Sequence, residues 1–285
     1  MSGDHLSWGA QALWQQLTPL LPGVSVEVLA RCESTNSELL ERARQHSGRR
    51  GDDQQPCLLV AEQQTRGRGR NGKAWMSHPG ASLTFSMSLP MQPAEWSGLS
   101  LAVGVSLAQA LEPLADSDDL AGPPRLKLKW PNDLWLGAGP GAGRKLGGIL
   151  IETLAVRGAR FVVVGVGLNV QQLSPGGLDH GFACLQELWP DITAPQVLAM
   201  LALPLVQGLK RFEQHGFKPF AAAFAQRDLL RGMTVTTTSS EVPEGIAEGV
   251  DDSGALRVRA QALHTIVGGE VSVRPAAQRQ EPASC

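Results

Sequence analysis

The segment QTRGRGRNGKAW, residues 64–75, carries four cations within eight positions and separates the first three with single glycines. These cations are Arg66, Arg68, Arg70 and Lys73. Glycine lets a backbone approach an anion closely, and arginine makes charge-assisted hydrogen bonds to phosphate or carboxylate oxygens. Two functions fit this pattern: a loop that closes over a small anion, and an exposed arginine–glycine tract that holds nucleic acid. The segment alone does not separate them.

The overall charge favours the first alternative. The 25 Lys and Arg residues nearly balance the 27 Asp and Glu residues, and the net charge is -2. No global field therefore draws the chain to nucleic acid or to an acidic membrane. Hydrophobic residues make up 42% of the chain, which is typical of a globular protein with a buried core. The anion site is therefore expected to be local.

The cysteines and the first residues predict a cytoplasmic protein with reduced thiols. Cys32, Cys57, Cys184 and Cys285 are far apart, and none belongs to a CxxC pair or lies near a His at metal-ligand spacing. The chain begins without the cationic, apolar lead of a signal peptide. No apolar stretch approaches the roughly 20 residues of a membrane-spanning helix. We expect no membrane association and no metal held by the protein alone.

Hydrophobic periodicity predicts the elements that position these groups. Strands are expected at 24–30, 57–62, 82–89, 125–130, 144–154 and 160–170, and helices at 8–21, 33–46, 95–114, 194–214 and 217–230. Strands and helices alternate without the regular rhythm of βαβ units. We therefore predict an α+β fold in which a mixed or antiparallel sheet carries helices on one face. The glycine-rich segment 137–143 is expected to be a flexible connection.

The sequence changes character after Arg231. Four or five short strands within about 45 residues, joined by DDSG and GG turns, predict a small β-barrel. The predicted domains are thus residues 1–230 and 231–274. Residues 275–285 show no periodicity and are predicted to form a disordered tail.

Four segments together resemble the biotin protein ligases, enzymes that adenylate biotin and attach it to a lysine of a carrier domain. The segments are STN (34–36), EQQTRGRGRNGKAW (62–75), KWPNDLWL (129–136) with RKLGGILIE (144–152), and GVGLN (165–169). A lone GRGRxG would be weak evidence, but GRGRxGxxW, KWPNDL and RKLGGIL must coincide in this order. The similarity resumes at GGEVS, residues 268–272.

The resemblance implies a catalytic domain related to class II aminoacyl-tRNA synthetases and an SH3-like C-terminal barrel. It implies biotin, ATP and Mg²⁺ as ligands, and a biotin carboxyl carrier domain of acetyl-CoA carboxylase or another biotin-dependent carboxylase as partner. About 25 residues precede the first predicted strand, too few for the DNA-binding module of some family members. We expect a ligase-only chain without DNA binding. Exposed strands of the sheet leave a homodimer open.

The chemistry of carboxylate activation explains the cations. Attack of a carboxylate on the α-phosphate of ATP brings two anions together, and fixed cations must neutralise the transition state. By resemblance, Lys145 contacts both the biotin carboxylate and the α-phosphate, while Arg70 retains the acyl-adenylate. Because ordering a glycine-rich loop costs about 1–2 kcal/mol of backbone entropy per residue, we expect this loop to close only when ligand arrives.

Other candidate residues surround this pair. By resemblance, the biotin contacts are Ser34, Thr35, Asn36, Gln64, Arg68, Gly69, Arg70, Lys145 and Gly148, and the ATP contacts are Arg68, Trp75, Lys129, Asn132, Lys145 and Asn169. Asp133 is the expected base that takes a proton from the carrier lysine. Structural roles remain open for some of them. Thr35 with Glu38 has capping-box spacing, Asp133 could only shape its turn, and Gly148 could lie in a β-bulge.

Two other functions fit parts of the sequence. A lipoate ligase or octanoyl transferase on a related fold shares the acyl-lysine chemistry, but GRGRNG and KWPND disfavour it. A nucleic-acid-binding regulatory protein would use the arginine–glycine loop and the barrel, but the near-neutral charge disfavours it. A Walker-type ATPase is excluded because GxxxxGK[ST] does not occur.

Overall fold

The computed structural model describes residues 6–45, 55–112, 124–139, 142–156, 159–172, 181–268 and 273–275. Its helices are α1 (Ala10–Leu17), α2 (Thr35–Gln45), α3 (Leu99–Leu111), α4 (Ala194–His215) and α5 (Ala221–Arg227). Its strands are β1 (Ser25–Cys32), β2 (Cys57–Gln64), β3 (Gly67–Arg68), β4 (Ala74–Trp75), β5 (Ser82–Pro90), β6 (Leu126–Lys129), β7 (Asp133–Gly139), β8 (Ala142–Val156), β9 (Ala159–Asn169), β10 (Thr234–Thr237), β11 (Glu244–Val250), β12 (Leu256–Arg259), β13 (Leu263–Ile266) and β14 (Val273–Pro275). None of the described helices is both long enough and apolar enough to cross a bilayer.

The largest sheet has seven strands in the order β1-β2-β5-β9-β8-β7-β6. Strands β1 and β2 run parallel, and every other neighbouring pair in this sheet is antiparallel. The predicted mixed sheet is therefore confirmed. Strands β3 and β4 form a separate hairpin above it.

Helices cover both faces of the large sheet, so the predicted single helical face is wrong. Leu58 of β2 lies in the main core with residues of α1, α3 and α4. Its neighbour Leu59 packs instead with Leu39 and Leu40 of α2. Because successive strand residues point to opposite faces, α2 lies across the sheet from the other helices. Helix α2 is short and leaves part of this face of the sheet uncovered, which makes room for a cleft.

The beginning of α2 also differs from the prediction. The helix begins at Thr35, so Ser34 is the capping residue, and its Oγ accepts a hydrogen bond from the Ser37 N–H at 3.5 Å. Glu38 pairs with Arg42 one turn later instead of closing a capping box. The predicted capping box of Thr35 and Glu38 is therefore wrong. The capping residue is Ser34, one position earlier, and the Thr35 hydroxyl bonds outside the helix.

The glycine-rich segment 137–143 is more regular than predicted. Strand β7 extends to Gly139 and β8 begins at Ala142, and these two residues pair across an antiparallel hairpin. Residues 140 and 141 lie outside the described residues. The flanking parts of the predicted flexible connection are therefore strand, because the ladder between β7 and β8 continues through them.

The C-terminal strands form an antiparallel sheet in the order β13-β12-β11-β10-β14. Within the described residues this sheet is not closed, since β13 and β14 are its two edges. The predicted barrel is confirmed only as a small antiparallel sheet. Residues 269–272 of the GGEVS segment and 276–285 of the predicted tail lie outside the described residues. The boundary at residue 231 stays a prediction.

The small sheet packs closely against the rest of the chain. The buried Trp130 indole N–H donates to the Gly254 carbonyl at 3.1 Å. A Cβ added at Gly254 would lie 2.6 Å from the Cα of Gly98, and both glycines have positive φ. Val235 and Leu256 of the small sheet share the main hydrophobic core. The small sheet is therefore held next to the turn that follows Trp130.

Candidate active site

A cleft of about 1250 Å³ opens on the face of the large sheet that carries α2. It is bounded by the beginning of α2, the β3–β4 hairpin, the turn between β6 and β7, and strands β8 and β9. The predicted biotin and ATP contacts and the predicted base all line it: Ser34, Thr35, Asn36, Gln64, Arg68, Gly69, Arg70, Trp75, Lys129, Asn132, Asp133, Lys145, Gly148 and Asn169. The fold thus brings the arginine–glycine segment and Lys145 to one place.

Two glycines of β9 form the floor of the cleft. A Cβ at Gly165 would lie 2.2 Å from Asn36 Oδ1, and a Cβ at Gly167 would lie 2.5 Å from the Trp75 ring. Real Cβ atoms do not approach other atoms this closely, so both positions require glycine. The two glycines therefore let Asn36 and Trp75 lie directly on the sheet.

A β-bulge in β8 turns Lys145 into the cleft. Leu134 pairs with Gly147 but Trp135 pairs with Lys145, so β8 contains one extra residue, Leu146. The extra residue reverses the alternation, which places Lys145 on the cleft face with Gly148 and leaves Leu146 fully buried. The Lys145 Nζ then lies 2.7 Å from Asp133 Oδ1. The bulge, one of the alternatives left open for this segment, is present.

The segment 181–187 holds β8 at Lys145 from its other side. The Ala183 N–H donates to the Lys145 carbonyl at 2.9 Å, and the Asn169 side chain donates to the Ala183 carbonyl at 3.0 Å. Arg144 donates to the Phe182 carbonyl at 2.9 Å and pairs with Glu187. The backbone that carries Lys145 is therefore bound on both edges.

Ser34, Thr35 and Asn36, here called the polar triplet, are all buried. The N–H and the hydroxyl of Thr35 both donate to Gln64 Oε1, at 2.8 and 3.1 Å. The Ser86 Oγ lies 2.6 Å from both Thr35 Oγ1 and Asn36 Oδ1. Capping is therefore only part of the triplet's role, because Thr35 and Asn36 belong to a buried polar network that reaches β2 and β5.

The arginine–glycine segment is folded, and residues 67–75 are called the RG hairpin. Gly67 pairs with Trp75, and the Gly69 N–H donates to the Lys73 carbonyl at 2.7 Å. At its tip, Arg70 donates to Asn132 Oδ1 at 3.2 Å. Arg66 lies outside the cleft lining and pairs with Glu33 at 3.5 Å. The segment is thus a short hairpin whose tip is fastened to the β6–β7 turn.

The cleft concentrates positive charge in a partly dehydrated place. Burial lowers the pKa of the Lys129 ammonium, and the nearby Lys145, Arg274 and Lys73 lower it further, while Asp133 opposes them. Burial also lowers the pKa of the Arg70 guanidinium, again opposed by Asp133. Cations that are crowded and partly dehydrated are stabilised by an anion. The site is therefore suited to phosphate and carboxylate groups.

Sequence reasoning missed several residues of the site. Ser86 belongs to the alternation Ser82, Thr84, Ser86, Ser88, a run of small polar residues that could have indicated a polar face of β5. Phe182 and Arg274 line the cleft from regions that carried no signal. Glu152, the one acid in the apolar run of β8, contacts both the polar triplet and the RG hairpin.

Comparison with known proteins agrees with this geometry. A model of the biotin/lipoate A/B protein ligase family matches residues 28–169, and a model of the biotin protein ligase C-terminal domain matches residues 232–274. The bifunctional ligase/repressor BirA of Escherichia coli (strain K12) is 34% identical over 270 residues, which cover 92% of this chain and 78% of BirA. The chain belongs to the biotin protein ligase family. Its resemblance to these ligases, first indicated by four short segments, is confirmed.

Other biotin protein ligases match over similar lengths. The biotin–[acetyl-CoA-carboxylase] ligase of Mycobacterium tuberculosis is 34% identical over 261 residues, covering 87% of this chain and 85% of the relative. The structure of the biotin protein ligase from Aquifex aeolicus in complex with biotin and ATP superimposes with a TM-score of 0.69 at 26% identity. That match covers 88% of this chain and 99% of the Aquifex chain. The α+β fold is therefore that of a biotin protein ligase.

Proposed function

We propose that this chain is an enzyme that uses ATP to activate biotin as biotinyl-5′-AMP and then transfers biotin to a lysine of a carrier protein. One observation carries the proposal: Lys145, the RG hairpin and the polar triplet line a single cleft. Membership of the biotin protein ligase family supports the same conclusion.

In the first half-reaction, the cations of the cleft bring the two anionic reactants together. Lys145 carries a compact charge at the end of the bulge, where it contacts the biotin carboxylate and the α-phosphate. Arg70, fastened to Asn132, covers the acyl-adenylate. Trp75 packs against Gly167 and offers an aromatic surface to the adenine, with Lys129 and Asn169 on either side of the nucleotide. Preorganised charges of this kind lower the barrier because they need no rearrangement in the transition state.

In the second half-reaction, Asp133 accepts a proton from the incoming carrier lysine, since only a neutral amine attacks the acyl-adenylate. In the free cleft the same carboxylate pairs with Lys145. Asp133 therefore orients the ammonium before biotin binds. Once the biotin carboxylate takes its place at Lys145, Asp133 is released for the proton transfer.

Biotin is favoured over lipoate as the substrate. The polar triplet with Gln64 offers both hydrogen-bond donors and acceptors in a buried place, which suits a ureido ring with two N–H groups and one carbonyl. The dithiolane ring of lipoate has no such groups and would form none of these hydrogen bonds with the network. The match to the biotin protein ligase C-terminal domain also favours biotin.

Mg²⁺ would enter with the nucleotide. Among the described residues, no group of three or more His, Cys, Asp or Glu side chains is arranged to hold a metal ion. Magnesium commonly keeps several waters and is held by substrate phosphates together with one or two carboxylates. The phosphates of ATP, next to Asn132 and Asp133, would supply most of its ligands here.

The carrier is proposed to be a biotin carboxyl carrier domain of acetyl-CoA carboxylase or of another biotin-dependent carboxylase. The names of the Mycobacterium tuberculosis and Paracoccus denitrificans relatives support this choice. A separate C-terminal domain over 231–274, a homodimer, the absence of DNA binding and a cytoplasmic location stay predictions.

One experiment tests the proposal directly. The protein is incubated with ATP, Mg²⁺ and either biotin or lipoate, and the acyl-adenylates are separated by chromatography. We expect biotinyl-5′-AMP to accumulate, and biotin to move to an added carrier domain. Accumulation of lipoyl-5′-AMP instead would favour the alternative substrate, and the absence of both adenylates would refute the proposal.

A further inference from the structure

Glu152 stands where an acid is unexpected, at one end of a cleft that gathers cations. On β8 it follows Gly148 and Leu150 at intervals of two residues, so all three lie on the cleft face of the sheet. Its side chain is 27% exposed. A carboxylate here opposes anion binding unless its charge is already paired.

The Glu152 carboxylate has two partners, one from each end of the site. Its Oε2 accepts a hydrogen bond from the Asn36 side-chain amide at 2.9 Å. The guanidinium of Arg68, in the first strand of the RG hairpin, lies 3.2 and 3.3 Å from its two oxygens. The negative charge of Glu152 is thus paired with Arg68, and the carboxylate does not act as an unpaired anion in the cleft.

These contacts complete a chain of hydrogen bonds across the cleft. Gln64 accepts from Thr35, Ser86 lies between Thr35 and Asn36, and Asn36 donates to Glu152. Asn36 cannot shift toward the sheet, because Gly165 is already in contact with its amide. A ligand that orders the polar triplet therefore also fixes the carboxylate that holds Arg68.

We propose that Glu152 is a positioning residue that couples the polar triplet to the RG hairpin, so that binding of the ureido end stabilises the closed hairpin. This inference rests on the proposed function. Its role is to keep β3 against the sheet while Arg70 covers the adenylate. Glu152 touches neither the reacting carboxylate nor the phosphate.

Glu152→Gln tests the coupling, because the amide oxygen still accepts from Asn36 while the charge on Arg68 is no longer paired. We expect the KM for biotin and the rate of adenylate release to rise by about three- to tenfold, the range for loss of a half-exposed charged hydrogen bond. The maximal rate of adenylate formation and the thermal midpoint should change little. Glu41→Gln removes an arginine pair at the far end of α2 and is the matched control.

Arg68→Met and the double variant identify the route of the effect. If Glu152 acts through Arg68, its replacement has little further effect in the Arg68→Met background, because two residues that act through one contact are not additive. Two outcomes would mean that Glu152 is merely structural and would overturn the inference. One is that the effects of the two substitutions add. The other is that a rise in KM is accompanied by an equal fall in the maximal rate and by a lower thermal midpoint.

Tryptic cleavage after Arg70 and Lys73 measures directly whether the RG hairpin is closed. Biotin should protect the unmodified protein, and Glu152→Gln should need about three- to tenfold more biotin for half-protection. Equal protection in the two proteins overturns the coupling and leaves the proposed function intact. If biotin neither binds nor protects the unmodified protein, the proposed function itself fails.

Discussion

The Lys145 ammonium lies 2.7 Å from Asp133 Oδ1, across the ladder between β8 and β7. Asp133 immediately follows the Trp130–Asn132 turn, and Lys145 precedes the bulged Leu146. The two residues assigned to successive half-reactions therefore share one contact before any substrate binds. This pairing keeps the lysine extended into the cleft and shields a carboxylate that would otherwise repel the substrates.

Loss of the Lys145 charge should strongly slow the first half-reaction. We expect Lys145→Ala to slow adenylate formation by about 10²–10³-fold, the effect of removing one preorganised group at the developing charge. Pyrophosphate release in single-turnover experiments measures this rate. Lys210→Ala, which removes an ammonium paired with Glu213 on α4, is the control. Normal adenylate formation by Lys145→Ala would end its assignment.

Arg70 should control how long the adenylate stays bound. Arg70→Gly removes the guanidinium at the tip of the RG hairpin and its contact with Asn132. Because hydrogen bonds of charged groups contribute roughly 1.5–3 kcal/mol, we expect adenylate release to become about 10- to 100-fold faster. Rapid-filtration assays of labelled biotinyl-5′-AMP measure the release. Arg66→Gly, outside the cleft, should release the adenylate at the original rate, and equal release by both variants would contradict the assignment.

Gly167 should tolerate no side chain, because Trp75 lies on it. In Gly167→Ala the added Cβ would lie 2.5 Å from the indole ring, so the ring must move away from the cleft floor. We expect a loss of about 1–3 kcal/mol in the free energy of unfolding and a higher KM for ATP. Urea unfolding and ATP titrations measure both. An added Cβ at Gly181 contacts nothing within 4 Å, so Gly181→Ala should unfold like the original protein. An unchanged stability of Gly167→Ala would show that Trp75 does not rest there.

Asp228 should make the protein less stable as the pH rises. Burial raises its pKa to about 6, although Lys127 and Arg231 favour the charged form. The folded protein therefore holds this proton more tightly than the unfolded chain, whose Asp ionises near pH 4. The resulting stabilisation is complete below pH 4 and is lost as the pH rises through 6.

Asp228→Asn removes this pH dependence. Each unit of pKa difference corresponds to about 1.4 kcal/mol, so we expect the variant to be about 1–3 kcal/mol more stable at pH 7.5 and similar to the original protein at pH 4. Urea unfolding at both pH values measures the difference. Asp252→Asn, whose carboxylate is exposed and pairs with Lys218, is the control. A variant less stable than the original protein at pH 7.5 would contradict the argument.

Local patterns predicted much of the architecture. The strand predicted at 125–130 is present as Leu126–Lys129, and its two leucines are buried. The order of GRGRxGxxW, KWPNDL and RKLGGIL indicated the family, because those residue types are needed for one chemistry. The predicted faces of the sheet were less accurate, since the apolar runs of β2 and β9 are buried on both sides and show no preferred face.

By itself, the sequence determined the residue types of the site, the α+β class with a mixed sheet, and the family, because these depend on composition, spacing and short periodicities. Only the tertiary structure decided that a bulge turns Lys145 into the cleft, that Glu152 pairs with Arg68, and that Arg274 approaches Lys129. The physical reason is distance along the chain. Strand register, and contacts between side chains 84 or 145 positions apart, depend on how whole elements pack, and no local pattern contains that information.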